Sequence, residues 1–128
     1  MINNITSKKI IDGILNFTYI ENTGGAYGIG SNNIKLIIIF NILIIASALG
    51  FIILKRCKLD RKIIIGLTLI IAGGMGNLTD RIFRGYVVDY IDINPLIKYP
   101  IFNLADIFIV LGSVILAIGV ILSEKKEK

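Results

Sequence analysis

The chain has 128 residues, 55% of them apolar, and a mean hydropathy of +0.79. With its 13 glycines included the apolar share is about 65%, against roughly 45–50% for a soluble domain, which excludes a water-soluble globule and a disordered chain. It has no His, a single Cys and a net charge of +5, which removes His-based acid–base chemistry, an internal disulfide and a four-cysteine metal site.

In chain order, residues 1–35 come first. They do not read as a signal peptide, for they lack a basic start followed by an unbroken apolar core. Ile14 to Ile20 alternates weakly around Phe17, Thr18 and Tyr19, which predicts a strand. Gly24-Gly25 marks a turn, and Ala26 to Ile29 a second short strand. Leu36 to Leu54 is a run of 19 residues broken only by Asn41, Ser47 and Gly50, long enough to span a bilayer. A second span covers 63–83 and a third 104–122. A soluble reading requires three buried helices with almost no polar face, and a chain this small has too little interior to hide them. The expected fold is an α-helical integral membrane protein in one domain, residues 1–128. Its spans are 36–54, 63–83 and 104–122, and a small β segment lies within 1–35.

The connections set the orientation. Residues 55–62 carry five positive charges and one negative, and the tail carries Lys125, Lys126 and Lys128. The positive-inside rule places both on the cytoplasmic side, so the basic excess speaks of membrane sidedness and not of nucleic acid. Residues 1–35 and 80–100 then face outward. An odd number of spans leaves the N-terminus outside, with Lys8, Lys9 and Lys35 and no preceding helix to carry them across.

Charges beside lipid need partners or a task, and here they gather at the outward ends of the spans. Two close Asp residues share one proton: the ionised one takes a proton from water and the protonated one donates to a carbonyl. That aspartic chemistry needs no His, Cys, Ser or metal. Asp80, Asp89, Asp92 and Asp106 are all eligible. Each has a structural alternative. Asp80 beside Arg81 reads as a helix-end ion pair, and Asp92 before Asn94-Pro95 as turn chemistry. Asn103 with Asp106 reads as a helix N-cap and an acidic first turn. Asp89, flanked by apolar residues, has the weakest such excuse. Gly73, Gly74 and Gly76 suit close helix approach. Cys57 has no base beside it, and Ser47 and Ser113 are placed to bond backbone carbonyls.

Four blocks together resemble the lipoprotein signal peptidases (signal peptidase II), bacterial inner-membrane aspartic proteases. Glu21-Asn22-Thr23-Gly24-Gly25-Ala26-Tyr27 is similar to the family's Asn-x-Gly-x-Ala-aromatic block. Ala72 to Arg81 is similar to its Gly-Gly-x-x-Gly-Asn-x-x-Asp-Arg block, with Ala72 for the first Gly. Val87-Val88-Asp89-Tyr90 and Phe102-Asn103-Leu104-Ala105-Asp106 match the other two. Gly25, Tyr27 and Tyr90 are further departures of similar size.

The resemblance implies that Asp89 and Asp106 are the catalytic dyad. Asn22, Gly24, Gly73, Asn77, Arg81 and Asn103 line or support the site, with Arg81 anchoring a carbonyl or pairing with Asp80. It implies no cofactor and no metal. The substrate is a diacylglyceryl-modified prolipoprotein, cut on the N-terminal side of the lipidated Cys. The enzyme is a monomer in membrane lipid, with its site on the extracytoplasmic face. Residues near Ile14 to Ile29 correspond to the family's small extracytoplasmic sheet, and Asn94 to Tyr99 to a short surface helix or flap. The family has four membrane helices, the first preceding the Asn22 block. Ile2 to Ile11 is too short and polar to be that helix, so the expectation is a chain that lacks it. The alternative is a non-catalytic membrane protein: an inactive homologue, or a bundle using Asp106 as a proton or ion site. The latter predicts acids at mid-span, whereas these cluster at one edge.

Overall fold

A computed structural model describes residues 6–24, 33–55 and 59–126. Their order is β1 (Ser7–Ile11), β2 (Leu15–Asn22), α1 (Ile34–Lys55), α2 (Arg61–Arg84), β3 (Val87–Asp92) and α3 (Leu104–Lys126). The strand expected over 26–29, the residues Gly25 to Tyr27 of the first block, and Cys57 lie outside the described residues. The chain divides into two compact units. One takes in the N-terminal segment through Ile38 together with Thr79–Leu104; the other takes in Ile39–Leu78 and Ala105 onward.

The second, helical unit holds most of α1, α2 and α3, each long and apolar enough to cross a membrane. The helices α1 and α2 begin ahead of their predicted spans because a polar residue caps each. Asn33 Oδ1 accepts from the Leu36 N–H at 3.3 Å, and Asp60 Oδ1 from the Lys62 N–H at 2.8 Å, which satisfies donors that a first turn leaves open. No residue of α1 is buried. A largely aliphatic helix with no buried residue suits lipid, where its backbone bonds are internal and its side chains meet hydrocarbon. Ser113 Oγ donates to the Ile109 carbonyl at 2.7 Å, as its mid-span position predicts.

Small residues bring these helices together. A Cβ on Gly66 of α2 would lie 2.8 Å from the Gly112 carbonyl of α3, and one on Gly112 2.7 Å from the Gly66 carbonyl. Neither position admits a side chain unless a backbone moves. Toward α1, Ile45 lies against Gly74, and Asn41 Nδ2 donates to the Gly74 carbonyl at 3.5 Å. Close approach gains dispersion contact where lipid offers no hydrophobic driving force between helices.

The first unit is built on an antiparallel sheet of order β1-β2-β3. A hairpin over 12–14 joins β1 to β2. Asn16 faces Asp92, Ile20 faces Asp89 and Asn22 faces Val87 across β2 and β3. The predicted strand near Ile14 is β2; β1 and β3 are additions that the sequence reading lacks. Only two residues separate α2 from β3, because Gly85 takes a φ of 80° and its N–H bonds the Arg81 carbonyl at 3.1 Å. That left-handed cap stops the helix and turns the chain. The surface helix expected near Asn94 to Tyr99 is a single turn, in which the Leu96 and Ile97 N–H groups both bond the Ile93 carbonyl at 2.9 Å. Pro100 follows shortly and has no N–H with which to extend it.

Among the described residues Ile63, Leu78 and Val87 are the buried apolar side chains, whereas Thr18, Asn77, Arg81, Asp89, Asp92 and Asn103 are buried and polar. A soluble domain shows the reverse. The buried polar groups are therefore the informative ones.

Candidate active site

In the sheet unit the polar cluster centres on Asp89. Strand alternation turns Val87 and Asp89 to one buried face of β3 and leaves Tyr90 exposed. Asp89 is 4% exposed. Asn22 Nδ2, at the end of β2, donates to its Oδ2 at 2.9 Å, and Asn103 Nδ2 donates to its Oδ1 at 2.8 Å. Asn103 reaches Asp89 because Phe102 returns to β3: the Ile91 N–H donates to the Phe102 carbonyl at 2.7 Å, and the Phe102 N–H to the Ile91 carbonyl at 3.2 Å. Asn22 is itself held. Its Oδ1 accepts from the Gly24 N–H at 2.9 Å, and the Gly24 carbonyl accepts from the buried Arg81 Nη2 at 2.7 Å. Arg81 thus fastens the Gly24 carbonyl.

In the helical unit the cluster centres on Asp106, in the first turn of α3. Asn77 Nδ2 of α2 donates to its Oδ1 at 2.8 Å. The positions Gly73, Gly76 and Asn77 fall on one face of α2 by their spacing. A Cβ on Gly73 would collide with the Ala105 carbonyl and with Ile109, and one on Gly76 would lie 3.1 Å from the Ala105 side chain. The bare backbone at Gly73 is what lets Asn77 reach Asp106.

The four eligible Asp residues separate by environment. Asp80 meets Arg84 Nε at 3.4 Å and accepts from the Val88 N–H at 3.2 Å, so it fastens the end of α2 to the start of β3. Asp92 closes a turn, as Asn94-Pro95 predicts. Its Oδ1 accepts from the Asn94 N–H at 3.0 Å and from Asn94 Nδ2 at 2.7 Å, and its Oδ2 from Thr18 Oγ1 at 2.9 Å. Burial pushes the Asp92 carboxyl up, but the bonds from Asn94, Thr18 and Asn16 outweigh burial and hold it below the usual aspartate range. Asp89 and Asp106 also take carboxamide donors, but from residues well separated from them in the chain: Asn22 and Asn103 for Asp89, and Asn77 for Asp106. Sequence reasoning missed the Thr18 partnership and the Arg84 pair; the first is invisible without the register of β2 on β3, while the second follows from the i, i+4 spacing.

Residues 1–122 match the family described as signal peptidase (SPase) II. The chain is 38% identical over 124 residues to a lipoprotein signal peptidase of Clostridioides difficile (strain 630), covering 97% of this chain and 82% of the relative. It is 42% identical over 120 residues to one from Caldicellulosiruptor bescii, covering 94% and 75%. Among solved structures it is similar to a bacterial membrane enzyme determined in meso at 2.3 Å resolution, with a TM-score of 0.86 and 32% identity over 96% of this chain and 75% of the other. A second such enzyme, at 1.9 Å resolution, gives a TM-score of 0.78 and 34% identity over 90% and 74%.

Proposed function

The chain belongs to the signal peptidase II family, and from that premise we propose that it is a membrane aspartic endopeptidase. It removes the signal peptide from diacylglyceryl-modified prolipoproteins, cutting on the N-terminal side of the lipidated Cys. The observation that carries the aspartic reading is the pattern of partners: Asp89 and Asp106 are held by Asn22, Asn103 and Asn77, while Asp80 and Asp92 are committed elsewhere.

The dyad shares one proton, which belongs to the pair and not to either residue. The ionised carboxylate removes a proton from water, and the oxygen of that water attacks the scissile carbonyl carbon. The protonated carboxyl donates to the carbonyl oxygen, giving a neutral tetrahedral diol. On collapse a hydroxyl of the diol returns its proton to the ionised carboxylate, the C–N bond breaks, and the protonated carboxyl gives its proton to the leaving amine of the lipidated Cys, so the dyad again holds one proton. Asn22, Asn77 and Asn103 hold the carboxyls in place through each change of charge, and Arg81 fastens the Gly24 segment that orients Asn22. We place the site on the extracytoplasmic face of the bacterial inner membrane, following the basic segment 55–62. The enzyme acts as a monomer and a single peptidase domain. A proton or ion site, or an inactive homologue, is not favoured.

Gel-shift cleavage in detergent micelles tests this, where no proton gradient exists. The chain is expected to convert a lipidated prolipoprotein to a product beginning at the lipidated Cys, and to leave an unlipidated precursor intact. An uncut lipidated precursor overturns the reading.

A further inference from the structure

Asp92 is buried and hydrogen-bonded, yet no step of the proposed chemistry uses it. We propose that Asp92 is a positioning residue for the reaction: it pins the exit of the loop that returns to place Asn103 against Asp89. The proposal rests on the reading of Asp89 as a catalytic residue.

The Asp92 side chain gathers three segments at the end of β3. Thr18 of β2, itself 4% exposed, donates to its Oδ2, and the Thr18 hydroxyl stands 3.0 Å from Ser7 Oγ of β1. Asn94, the first turn residue of the loop, donates twice to its Oδ1. One carboxylate therefore ties both other strands to the departing chain. The loop then carries exposed Leu96, Ile97 and Tyr99 and supplies one turn of its own. On its return Phe102 bridges to Ile91, and the next residue, Asn103, donates to Asp89 Oδ1. Exit and entry are adjacent on β3: Asp92 fixes one and Ile91 the other. A loosened exit carries Phe102 and Asn103 away from the Asp89 oxygen. Residues three apart on a strand present their side chains to opposite faces, so Asp92 acts through the backbone and not on Asp89 directly.

The nature of the clip sets the test. Asp92→Asn keeps an acceptor for Asn94 and turns a donor toward Thr18, whose hydroxyl can exchange roles with Ser7. Asp92→Ala leaves buried donors without an acceptor. The experiment measures kcat and KM on a lipidated prolipoprotein for Asp92→Ala, Asp92→Asn, Asn103→Ala and the Asp92→Ala/Asn103→Ala double variant, per amount of monodisperse folded enzyme. Asp92→Ala is expected to lower kcat about tenfold to a hundredfold with KM within about threefold. Asp92→Asn restores most of the rate, and the double variant is no slower than Asn103→Ala alone. A normal kcat in Asp92→Ala, or full additivity in the double variant, overturns the proposal. Equal loss in Asp92→Asn overturns it too, since the carboxyl would then be acting by proton transfer.

Asp89→Asn, measured alongside, separates the two levels. Activity in that variant removes the reading underneath, whereas a dead Asp89→Asn beside a normal Asp92→Ala removes the positioning role alone. Where Asp92→Ala does not fold, Thr18→Val and Asn94→Ala keep the carboxylate. Each is then expected to give a smaller loss in kcat that is likewise non-additive with Asn103→Ala, and unchanged kcat in both overturns the proposal.

Discussion

The helical unit and the sheet unit each hold one carboxylate of the proposed dyad, and they hold it by different means. In the helical unit Asp106 meets Asn77 because Gly73 and Gly76 let α2 come close to the start of α3. In the sheet unit Asp89 meets Asn22 through the pairing of β2 with β3, and Asn103 through the Phe102–Ile91 bridge. The first arrangement depends on side-chain size, the second on register. A bulky residue pushes helices apart by degrees, whereas a slip of one residue turns every side chain of a strand to the other face. Damage to the helical unit is therefore graded, and damage to the sheet unit abrupt.

The largest expected effect ignores this difference. Asp89→Asn and Asp106→Asn are each expected to lose about 10²–10⁴ in turnover of a lipidated precursor, because in the proposed mechanism both carboxyls take part in proton transfer however they are held. Unequal losses, with one variant near wild type, would break the symmetry of the comparison. Next come the orienting amides. Asn103→Ala and Asn77→Ala each remove a donor worth about 1–3 kcal/mol, to the buried Asp89 and the half-buried Asp106, and steady-state kinetics should show kcat falling more than KM rises. Gly66→Leu probes the graded side alone. Overpacking against Gly112 costs about 1–3 kcal/mol, read as a lower melting temperature in detergent.

The smallest effect is a pH dependence of the sheet unit. The folded pKa of Asp92 is lowered. Its contribution is therefore present above the ordinary aspartate value near about 3.9 and is lost as pH falls through the lowered value. Melting followed from pH 7 to pH 3 should show an acid limb that Asp92→Asn flattens.

The helical unit was the legible one. Long apolar runs mark α1, α2 and α3, and the errors at the starts of α1 and α2 are the caps Asn33 and Asp60, which lie outside the apolar pattern. The glycine-rich end of α2 also announced a close approach. The sheet was legible only in β2. β3 has the β-branched and aromatic residues of a strand over Val87 to Ile91, but its partner lies far back along the chain, and nothing local says that Ile20 faces Asp89. The two carboxamides on Asp89 come from positions 22 and 103, so its environment exists only once the pairing does. The resemblance to a known family chose Asp89 and Asp106 where the bare residues left four Asp residues open. The partners of Asp80 and Asp92 tie those two to the end of α2 and to the turn after β3, which supports the proposed choice of Asp89 and Asp106.

The central claim is that partners, and not burial, mark the working carboxylates. The most direct measurement compares single-turnover cleavage of a lipidated prolipoprotein by Asp80→Asn, Asp89→Asn, Asp92→Asn and Asp106→Asn, each corrected for folded enzyme. Asp89→Asn and Asp106→Asn should fall below about 1% of the wild-type rate, with Asp80→Asn and Asp92→Asn retaining most of it. A working Asp89→Asn or Asp106→Asn enzyme, or an Asp92→Asn enzyme as dead as they are, contradicts the account.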